Sequence, residues 1–313
     1  MTDMKKPRQS LSSLFLKQVP AAERAHIRCL EEIQKAHEGR PFHVDDGNLR
    51  IMYLNPKCMQ SVMKLDAPDE LVCAYSRTVM GLLMFHPQPR HILLIGLGGG
   101  SLVKYCYRHL PDCRITVLEI NADVIAMREL FMLPPDDERL QVIHCDAVTH
   151  LQDNTYDADV LLLDAYDENG LVADLNTAEF YAICHANLVE NGIMVANVWG
   201  KPSALAGMLS RLRQQFARQV SWTRSPDSYN LIVYAIKGAL NQVNEHTIKA
   251  LSDQHPSLQF SSLQDKLLSL PLSADYADPE EELAALKLSL STIMVPDANV
   301  PQNYADWKKQ AAQ

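Results

Sequence analysis

Short apolar runs alternate with amphipathic stretches between residues 91 and 236 of this sequence. Such runs are typical of strands buried on both faces, and we predict them at 91–95, 114–120, 140–144, 158–163 and 192–198. Helical spacing follows these runs, and we predict helices at 101–109, 122–131, 177–188 and 203–216. Two last runs, 219–223 and 230–236, are close enough in sequence for an antiparallel hairpin. The pattern predicts an α/β fold with a doubly wound, mostly parallel seven-stranded Rossmann-like sheet.

The flanking segments have a different pattern. A helix is predicted to begin at Ala67-Pro68-Asp69-Glu70 and to end before Pro87. Another is predicted to begin at Asp278, with a leucine stripe suited to the core or to a subunit contact. We expect four segments: an N-terminal helical extension (1–40), a small antiparallel β-sheet (41–66), the Rossmann-like domain (67–238) and a C-terminal helical extension (239–313).

A glycine-rich loop follows the first strand of the core. Gly96, Gly98, Gly99 and Gly100 permit a tight turn and a close approach of a ligand to the backbone. The helix after the loop directs free N–H groups at it. Glu119 lies near the end of the next strand, where a carboxylate can accept hydrogen bonds from both hydroxyls of a ribose. The combination predicts a bound nucleoside; the alternative is a tight β–α connection with a solvated glutamate.

Two further carboxylates follow strands of the same predicted sheet. Asp146 comes after the third strand and Asp164 directly after the fourth. Ligands of such sheets bind outside the carboxyl ends of the strands. We therefore expect Glu119, Asp146 and Asp164 to meet at one edge of the sheet.

Composition narrows the class of protein. The chain has 313 residues, of which 47% are hydrophobic, enough for a sizeable core, and its formal charge of −9 favours a cationic ligand over nucleic acid. Seven dispersed cysteines without a C-x-x-C pair indicate free thiols in a reducing compartment and no metal centre. No apolar run is long enough to span a membrane, and no cleaved signal is apparent. We expect a cytoplasmic protein.

The loop at 96–100, Glu119, Asp146 and the segment Asp164-Ala165-Tyr166-Asp167 resemble the motifs of the spermidine synthase family of polyamine aminopropyltransferases. The resemblance covers about residues 41–236, including His86-Pro87-Gln88-Pro89-Arg90 and Leu175-Asn176-Thr177-Ala178-Glu179-Phe180-Tyr181. It implies a methyltransferase-type Rossmann core behind a small β-sheet. It also implies transfer of an aminopropyl group from decarboxylated S-adenosylmethionine to an amine or polyamine, with release of methylthioadenosine.

The same resemblance assigns the residues that would bind the donor. The glycines at 96, 98, 99 and 100 would approach it, and Glu119 would hold its ribose. Asp146 and Ala147 would contact the adenine. For Asp146 the alternative is a solvated acid at a strand end.

On the acceptor side, the resemblance implies that Asp164 orients the attacking amine and helps to deprotonate it. Asp167, Tyr75 and Tyr166 would bind the amine substrate. The residue types suit the chemistry, because an amine is protonated near neutral pH and must lose a proton to attack. The alternatives are a turn cap for Asp164, an ordinary loop position for Asp167 and packing roles for both tyrosines.

Three departures from the family pattern leave the function open. Gly99 stands where the family's Gly-Gly-Gly-Asp-Gly-Gly loop has the acid that binds the propylamine. Ser76 and Arg77 replace a glutamine and a glutamate beside Tyr75, and Asn197 is the nearest match for a glutamine after the fifth strand. The alternatives to aminopropyl transfer are methyl or aminocarboxypropyl transfer from ordinary S-adenosylmethionine, and a non-catalytic nucleoside-binding protein. A homodimer is compatible with the sequence and not required by it.

Overall fold

The computed structural model describes residues 21–56, 58–167, 170–239, 243–271, 278–295, 300–301 and 304–311. At its N-terminal side, helix α1 (Ala21–Ala36) packs on a three-stranded antiparallel sheet in the order β1 (Phe42–Asp46), β2 (Leu49–Asn55) and β3 (Cys58–Lys64). Gly47 turns the first hairpin with a φ of 63°. Because glycine reaches this conformation without steric cost, the chain can reverse here and pair β1 with β2 in the predicted small antiparallel sheet.

The helix predicted from residue 67 begins later in the structure. Residues 67–73 are not helical, α2 spans Ala74–Val79, and a 3₁₀ helix, Met80–Met84, follows. Arg77 Nη1 donates hydrogen bonds to the carbonyls of Leu71 and Val72, and the N–H of Ala74 donates to Asp227 Oδ2 at 2.8 Å. The side chains of Arg77 and Asp227 take up backbone groups that a longer helix would pair internally, so the predicted start was wrong.

The strands and helices of the core follow in regular alternation. They are β4 (His91–Ile95), α3 (Ser101–His109), β5 (Arg114–Glu119), α4 (Ala122–Ala126), β6 (Leu140–His144), α5 (Ala147–Asp153), β7 (Ala158–Leu163), the short pair β8 (Tyr166–Asp167) and β9 (Gly170–Leu171), a 3₁₀ helix (Ala173–Asn176), α6 (Ala178–Ala186), β10 (Leu188–Val198), α7 (Pro202–Gln215), β11 (Val220–Arg224) and β12 (Leu231–Ile236).

Seven of these strands form one sheet in the order β11-β12-β10-β7-β4-β5-β6. β10, β7, β4, β5 and β6 are parallel, and β12 runs antiparallel to both β10 and β11. Ile92 and Leu94 point to one apolar cluster, and Leu93 and Ile95 to another on the opposite face. This alternation buries the strand on both sides. The predicted mostly parallel seven-stranded sheet, with its small antiparallel companion, is confirmed.

Besides the start of α2, two element boundaries differ from the prediction by more than two residues. α4 ends at Ala126 rather than at residue 131, and Lys104 Nζ donates to the Phe131 carbonyl at 2.7 Å within the turns that follow. β10 begins at Leu188, because Leu188 pairs with Ala158 before a register shift restores regular pairing at Ile193. Local periodicity does not report such tertiary contacts.

The described helices after β12 pack on three different surfaces. α8 (Glu245–Gln254) and α9 (Phe260–Gln264) cover the apolar face that contains Ile92. α10 (Pro279–Ile293) packs on α7, with its Leu286 and Leu290 fully buried, so its leucine stripe belongs to the core. α11 (Tyr304–Ala311) lies against the small sheet. None of the helices described has the length and apolar character needed to cross a bilayer.

Candidate active site

The carboxyl ends of four adjacent strands meet at one cavity of about 490 Å³. Asp164 follows β7, Gly96 follows β4, Glu119 ends β5 and Asp146 follows β6, in the order of those strands in the sheet. We call this space the rim cavity. Its volume lies in the range of small-molecule sites, and all three predicted carboxylates border it.

The glycine loop shapes the wall of the rim cavity between β4 and β7. Gly96 has a φ of 95°, and a Cβ there would collide with the backbone carbonyl of Asp164. Glycine is therefore required for β4 and β7 to lie this close where the chain turns. Gly100, with a φ of 67°, precedes α3, and a Cβ there would meet Leu133 Cδ1 at 2.5 Å.

The small sheet lies over the other part of the loop. A Cβ on Gly98 would lie 2.5 Å from Gln60 Oε1, and one on Gly99 would lie 2.8 Å from Ser61 Cβ and 2.9 Å from a Phe131 ring carbon. The N–H of Gly99 donates to Ser61 Oγ at 2.9 Å. Gly96 and Gly98 line the rim cavity, whereas Gly99 and Gly100 are not among the described residues that line it. Gly99, where the family has its acid, instead holds β3 against the loop.

Glu119 is held by backbone on both carboxylate oxygens. Oε2 accepts a hydrogen bond from the N–H of Leu97 and Oε1 accepts one from the N–H of Asn121, both at 2.7 Å. The side chain is only 7% exposed. An ionised carboxylate can accept about four hydrogen bonds, so both oxygens retain acceptor capacity toward a ligand in the cavity.

Asp146 has a structural role as well as a place at the cavity. It is the N-cap of α5, and its Oδ1 accepts a hydrogen bond from the N–H of Thr149 at 2.8 Å. Ala147 is the first residue of that helix, and both residues line the rim cavity. The first N–H groups of a helix have no intrahelical acceptor, so the N–H of Ala147 can donate to a ligand.

A second cavity, of about 270 Å³, lies on the other side of Asp164. We call it the side cavity. Tyr75, Asn197, Trp199, Asp227 and other residues line it, and three residues line both cavities: Leu54, Gln60 and Asp164. Asp164 therefore stands at the junction of two spaces.

Burial and hydrogen bonding shift the pKa of the Asp164 carboxyl in opposite directions. Burial raises the pKa of its carboxyl above the ordinary aspartate value, while hydrogen bonds from Asn197 and Tyr75 lower it. Asn197 Nδ2 donates to Asp164 Oδ1 at 2.9 Å, and Asn230 Nδ2 donates to Asn197 Oδ1 at 2.8 Å. A desolvated carboxylate with a raised pKa accepts a proton more readily than an exposed one.

The remaining predicted substrate residues fall into two groups. Tyr75 lines the side cavity and hydrogen bonds to Asp164. Tyr166 and Asp167 form the two-residue strand β8, which pairs with β9 close after Asp164. The side chains of Tyr166 and Asp167 lie outside the described part of the structure, so their predicted contacts with an amine stay predictions.

Several residues at the two cavities were not identified from the sequence. Gln60 borders both cavities, and Asp174 lines the rim cavity from the 3₁₀ helix Ala173–Asn176. Asp227 and Trp307 line the side cavity. Gln60 and Ser61 are adjacent on β3, yet both line the side cavity, because a register shift between Met52 and Tyr53 of β2 interrupts the alternation of side chains. That shift depends on pairing with β2, so the local sequence pattern gave no signal for Gln60.

The charged residues among the described residues that line the rim cavity are all acidic. Four carboxylates border it, from Glu119, Asp146, Asp164 and Asp174, and no lysine, arginine or histidine is among the described residues that line it. Such a wall attracts a cation and repels an anion. In the described residues, no group of three or more His, Cys, Asp or Glu is placed to hold a metal ion.

Comparison with solved structures defines the class of fold. A probable spermidine synthase from Corynebacterium glutamicum superposes with a TM-score of 0.62 at 17% identity, covering 84% of this chain and 94% of that one. Human methyltransferase-like protein 13 in complex with SAH superposes with a TM-score of 0.51 at 16% identity, covering 66% and 99%. The protein has a methyltransferase-like α/β fold.

Sequence comparison identifies the family. Residues 72–246 match the family described as the spermine/spermidine synthase domain. A polyamine aminopropyltransferase of Neisseria meningitidis serogroup A is 34% identical over 212 residues, which are 67% of this chain and 81% of the relative. The chain belongs to the spermine/spermidine synthase family, and it is a transferase.

Proposed function

We propose that the protein transfers an aminopropyl group from decarboxylated S-adenosylmethionine to a small amine or polyamine and releases methylthioadenosine. The observation that carries this proposal is the position of Asp164, which borders both the rim cavity and the side cavity. A transferase that joins two substrates needs them in adjacent spaces with a proton acceptor at the junction.

The rim cavity suits the donor. Glu119 would accept hydrogen bonds from the ribose hydroxyls, and Asp146 and the N–H of Ala147 would contact the adenine. Ile120, which is 65% exposed, lines the cavity and offers an apolar surface to the adenine ring. The donor carries a sulfonium and an ammonium group, which matches a wall of four carboxylates.

The side cavity suits an amine. Asp164 and Asp227 supply negative charge, and Tyr75, Trp199 and Trp307 supply aromatic surface. Ammonium groups bind to carboxylates and to aromatic faces. The amine nitrogen would lie beside Asp164, facing the donor carbon next to the sulfonium.

The reaction then follows from these positions. The amine loses a proton to Asp164, and its nitrogen forms a bond to the carbon of the propyl group attached to sulfur. The carbon–sulfur bond breaks and its electron pair stays on sulfur, so the leaving group is a neutral thioether that needs no acid. Asn197 and Tyr75 would hold the Asp164 carboxylate in the orientation that receives the proton.

A second candidate donor is ordinary S-adenosylmethionine, because Gly99 lacks the acid that would repel its carboxylate. The four carboxylates of the rim cavity oppose this alternative. We expect calorimetry to show that the protein binds decarboxylated S-adenosylmethionine at least about tenfold more tightly than the carboxylated form. Methylthioadenosine, which lacks the aminopropyl group, is the control for nucleoside binding. Tighter binding of the carboxylated form would reject the proposed donor.

The pH dependence of the reaction tests the role of Asn197. Its side chain donates to the Asp164 carboxylate, so Asn197→Leu removes a hydrogen bond that favours the charged form. The pKa of Asp164 then rises further, and the acid limb of the kcat/KM profile is expected to move to higher pH. Asn230→Ala is the control, because it keeps the bond between Asn197 and Asp164 and should move the limb less. An acid limb that stays in place in Asn197→Leu would remove Asp164 as the titrating group.

A further inference from the structure

The helix α11 contributes a wall to the side cavity from a part of the chain that lies beyond residues 72–246, the range of the family match. Trp307 is 8% exposed and packs in an apolar cluster with Leu30, Phe42 and Tyr53. It also lines the side cavity together with Asp164 and Asp227. An element outside the matched domain therefore shapes the space proposed for the acceptor.

Several contacts fix α11 in this position. Tyr304 Oη donates to Asp46 Oδ2 at 2.8 Å, and Lys308 Nζ pairs with the same oxygen at 2.7 Å. The rings of Tyr304 and His26 stack with centroids 4.9 Å apart. These contacts hold α11 against both β1 and α1, so the position of Trp307 at the side cavity is fixed.

A third cavity, of about 330 Å³, lies on the far side of Trp307. We call it the distal cavity. Trp307, Met59 and Asp227 line both the side cavity and the distal cavity, so these three residues form the partition between them. Glu23 and His26 line the distal cavity, and His26 Nε2 is a buried atom without a hydrogen-bond partner among the described residues.

We propose that Trp307 sets the length of the acceptor by closing the side cavity at the partition. This inference rests on the amine-binding role proposed above for the side cavity. A diamine carries a cation at each end. One amine group would lie at Asp164, and the other would meet the carboxylate of Asp227 and the indole of Trp307, two groups that bind ammonium. A longer chain would have to pass the partition.

The distal cavity, beyond the partition, contains polar groups that a longer amine could bind. Removal of the indole would join the side and distal cavities. The far ammonium of a longer amine would then reach Glu23, which supplies negative charge, and His26 Nε2, which can accept a hydrogen bond. Each additional methylene group would be removed from water in the joined space.

The test is calorimetry of diaminobutane and diaminooctane binding to the full chain saturated with methylthioadenosine. We expect the wild-type protein to bind diaminobutane more tightly, and Trp307→Ala to shift the ratio of the two dissociation constants by about tenfold or more toward diaminooctane. Met59→Ala opens the same partition from β3 and carries the test if Trp307→Ala does not fold. Adding Glu23→Gln to Trp307→Ala should reduce the shift of this ratio toward diaminooctane.

Lys309→Ala is the matched control, because Lys309 lies on α11 but is exposed and lines neither cavity. The ratio of the dissociation constants of diaminobutane and diaminooctane should be the same for Lys309→Ala as for the wild-type protein. An unchanged ratio in Trp307→Ala and Met59→Ala, or a wild-type protein that already prefers diaminooctane, would overturn the inference. Because the readout is binding, this failure is distinct from failure of the proposed function, which would show as amine binding without release of methylthioadenosine.

Discussion

Asp164→Asn is expected to lower kcat for methylthioadenosine release by about 10²- to 10⁴-fold, the usual contribution of a positioned proton acceptor. Asparagine keeps the size of the side chain and can still accept the hydrogen bond from Asn197. It cannot take a proton from the amine. Binding of methylthioadenosine, measured by calorimetry, should change little, because the predicted nucleoside contacts come from other residues.

The same variant should not be less stable than the wild-type protein near pH 7.5. Burial raises the pKa of Asp164 in the folded state. The stability that such a group contributes is present below its unfolded pKa and is lost as the pH rises through the folded pKa. The ionised carboxylate therefore costs stability at neutral pH, and Asp164→Asn removes that cost, as is common at functional sites.

Asp159 provides the matched control at the opposite end of β7. Its Oδ2 accepts hydrogen bonds from the N–H groups of Arg90 and His91, at 2.7 and 2.8 Å. Asp159→Asn should lower the melting temperature and leave kcat of the folded protein nearly unchanged, the reverse of Asp164→Asn. If Asp164→Asn instead lowers the melting temperature and keeps its activity, Asp164 is a turn cap and not the proton acceptor.

Glu119→Gln is expected to weaken methylthioadenosine binding by about 10- to 100-fold, the usual value of a hydrogen bond to a charged acceptor. The amide NH₂ would also face the N–H of Leu97 or of Asn121, both of which now donate to the carboxylate. An unpaired buried donor costs about 1–3 kcal/mol, so the melting temperature without ligand should fall.

An analogue that lacks one ribose hydroxyl separates these two effects. If Glu119 binds the ribose, removal of a hydroxyl should weaken binding to the wild-type protein more than binding to Glu119→Gln. Glu129→Gln is the control for the change in charge, because Glu129 is exposed and is not among the residues lining either cavity. If removal of the hydroxyl weakens binding equally in the wild-type protein and in Glu119→Gln, Glu119 only shapes the loop.

The rim cavity could be predicted from the sequence because parallel strands follow a simple rule. Apolar runs located the strand ends, and residues at the carboxyl ends of neighbouring strands lie at one edge of the sheet. Glu119, Asp146 and Asp164 could therefore be placed together without any knowledge of side-chain contacts. The glycines were recognised for the same reason, although the packing of Gly99 on Ser61 and Phe131 depends on β3, which is distant in sequence.

Tyr75 and Asp164 of the side cavity were predicted, but its remaining walls could not be, because they come from elements that no local pattern connects. Asp227 lies in the turn between β11 and β12, and Trp307 lies on a helix of eight residues near the C-terminus. Periodicity shows that a helix has an apolar face but not which surface that face covers. The late start of α2 has a related cause, since Asp227 and Arg77 hold backbone groups that the local pattern assigned to a longer helix.

The proposed function requires the two cavities joined at Asp164 to bring a sulfonium donor and an amine together. The most direct test incubates the purified protein with decarboxylated S-adenosylmethionine and a panel of diamines and polyamines, and measures methylthioadenosine by chromatography. We expect release of methylthioadenosine with at least one amine, in an amount equal to the aminopropylated product. Absence of methylthioadenosine with every amine in the panel would contradict it.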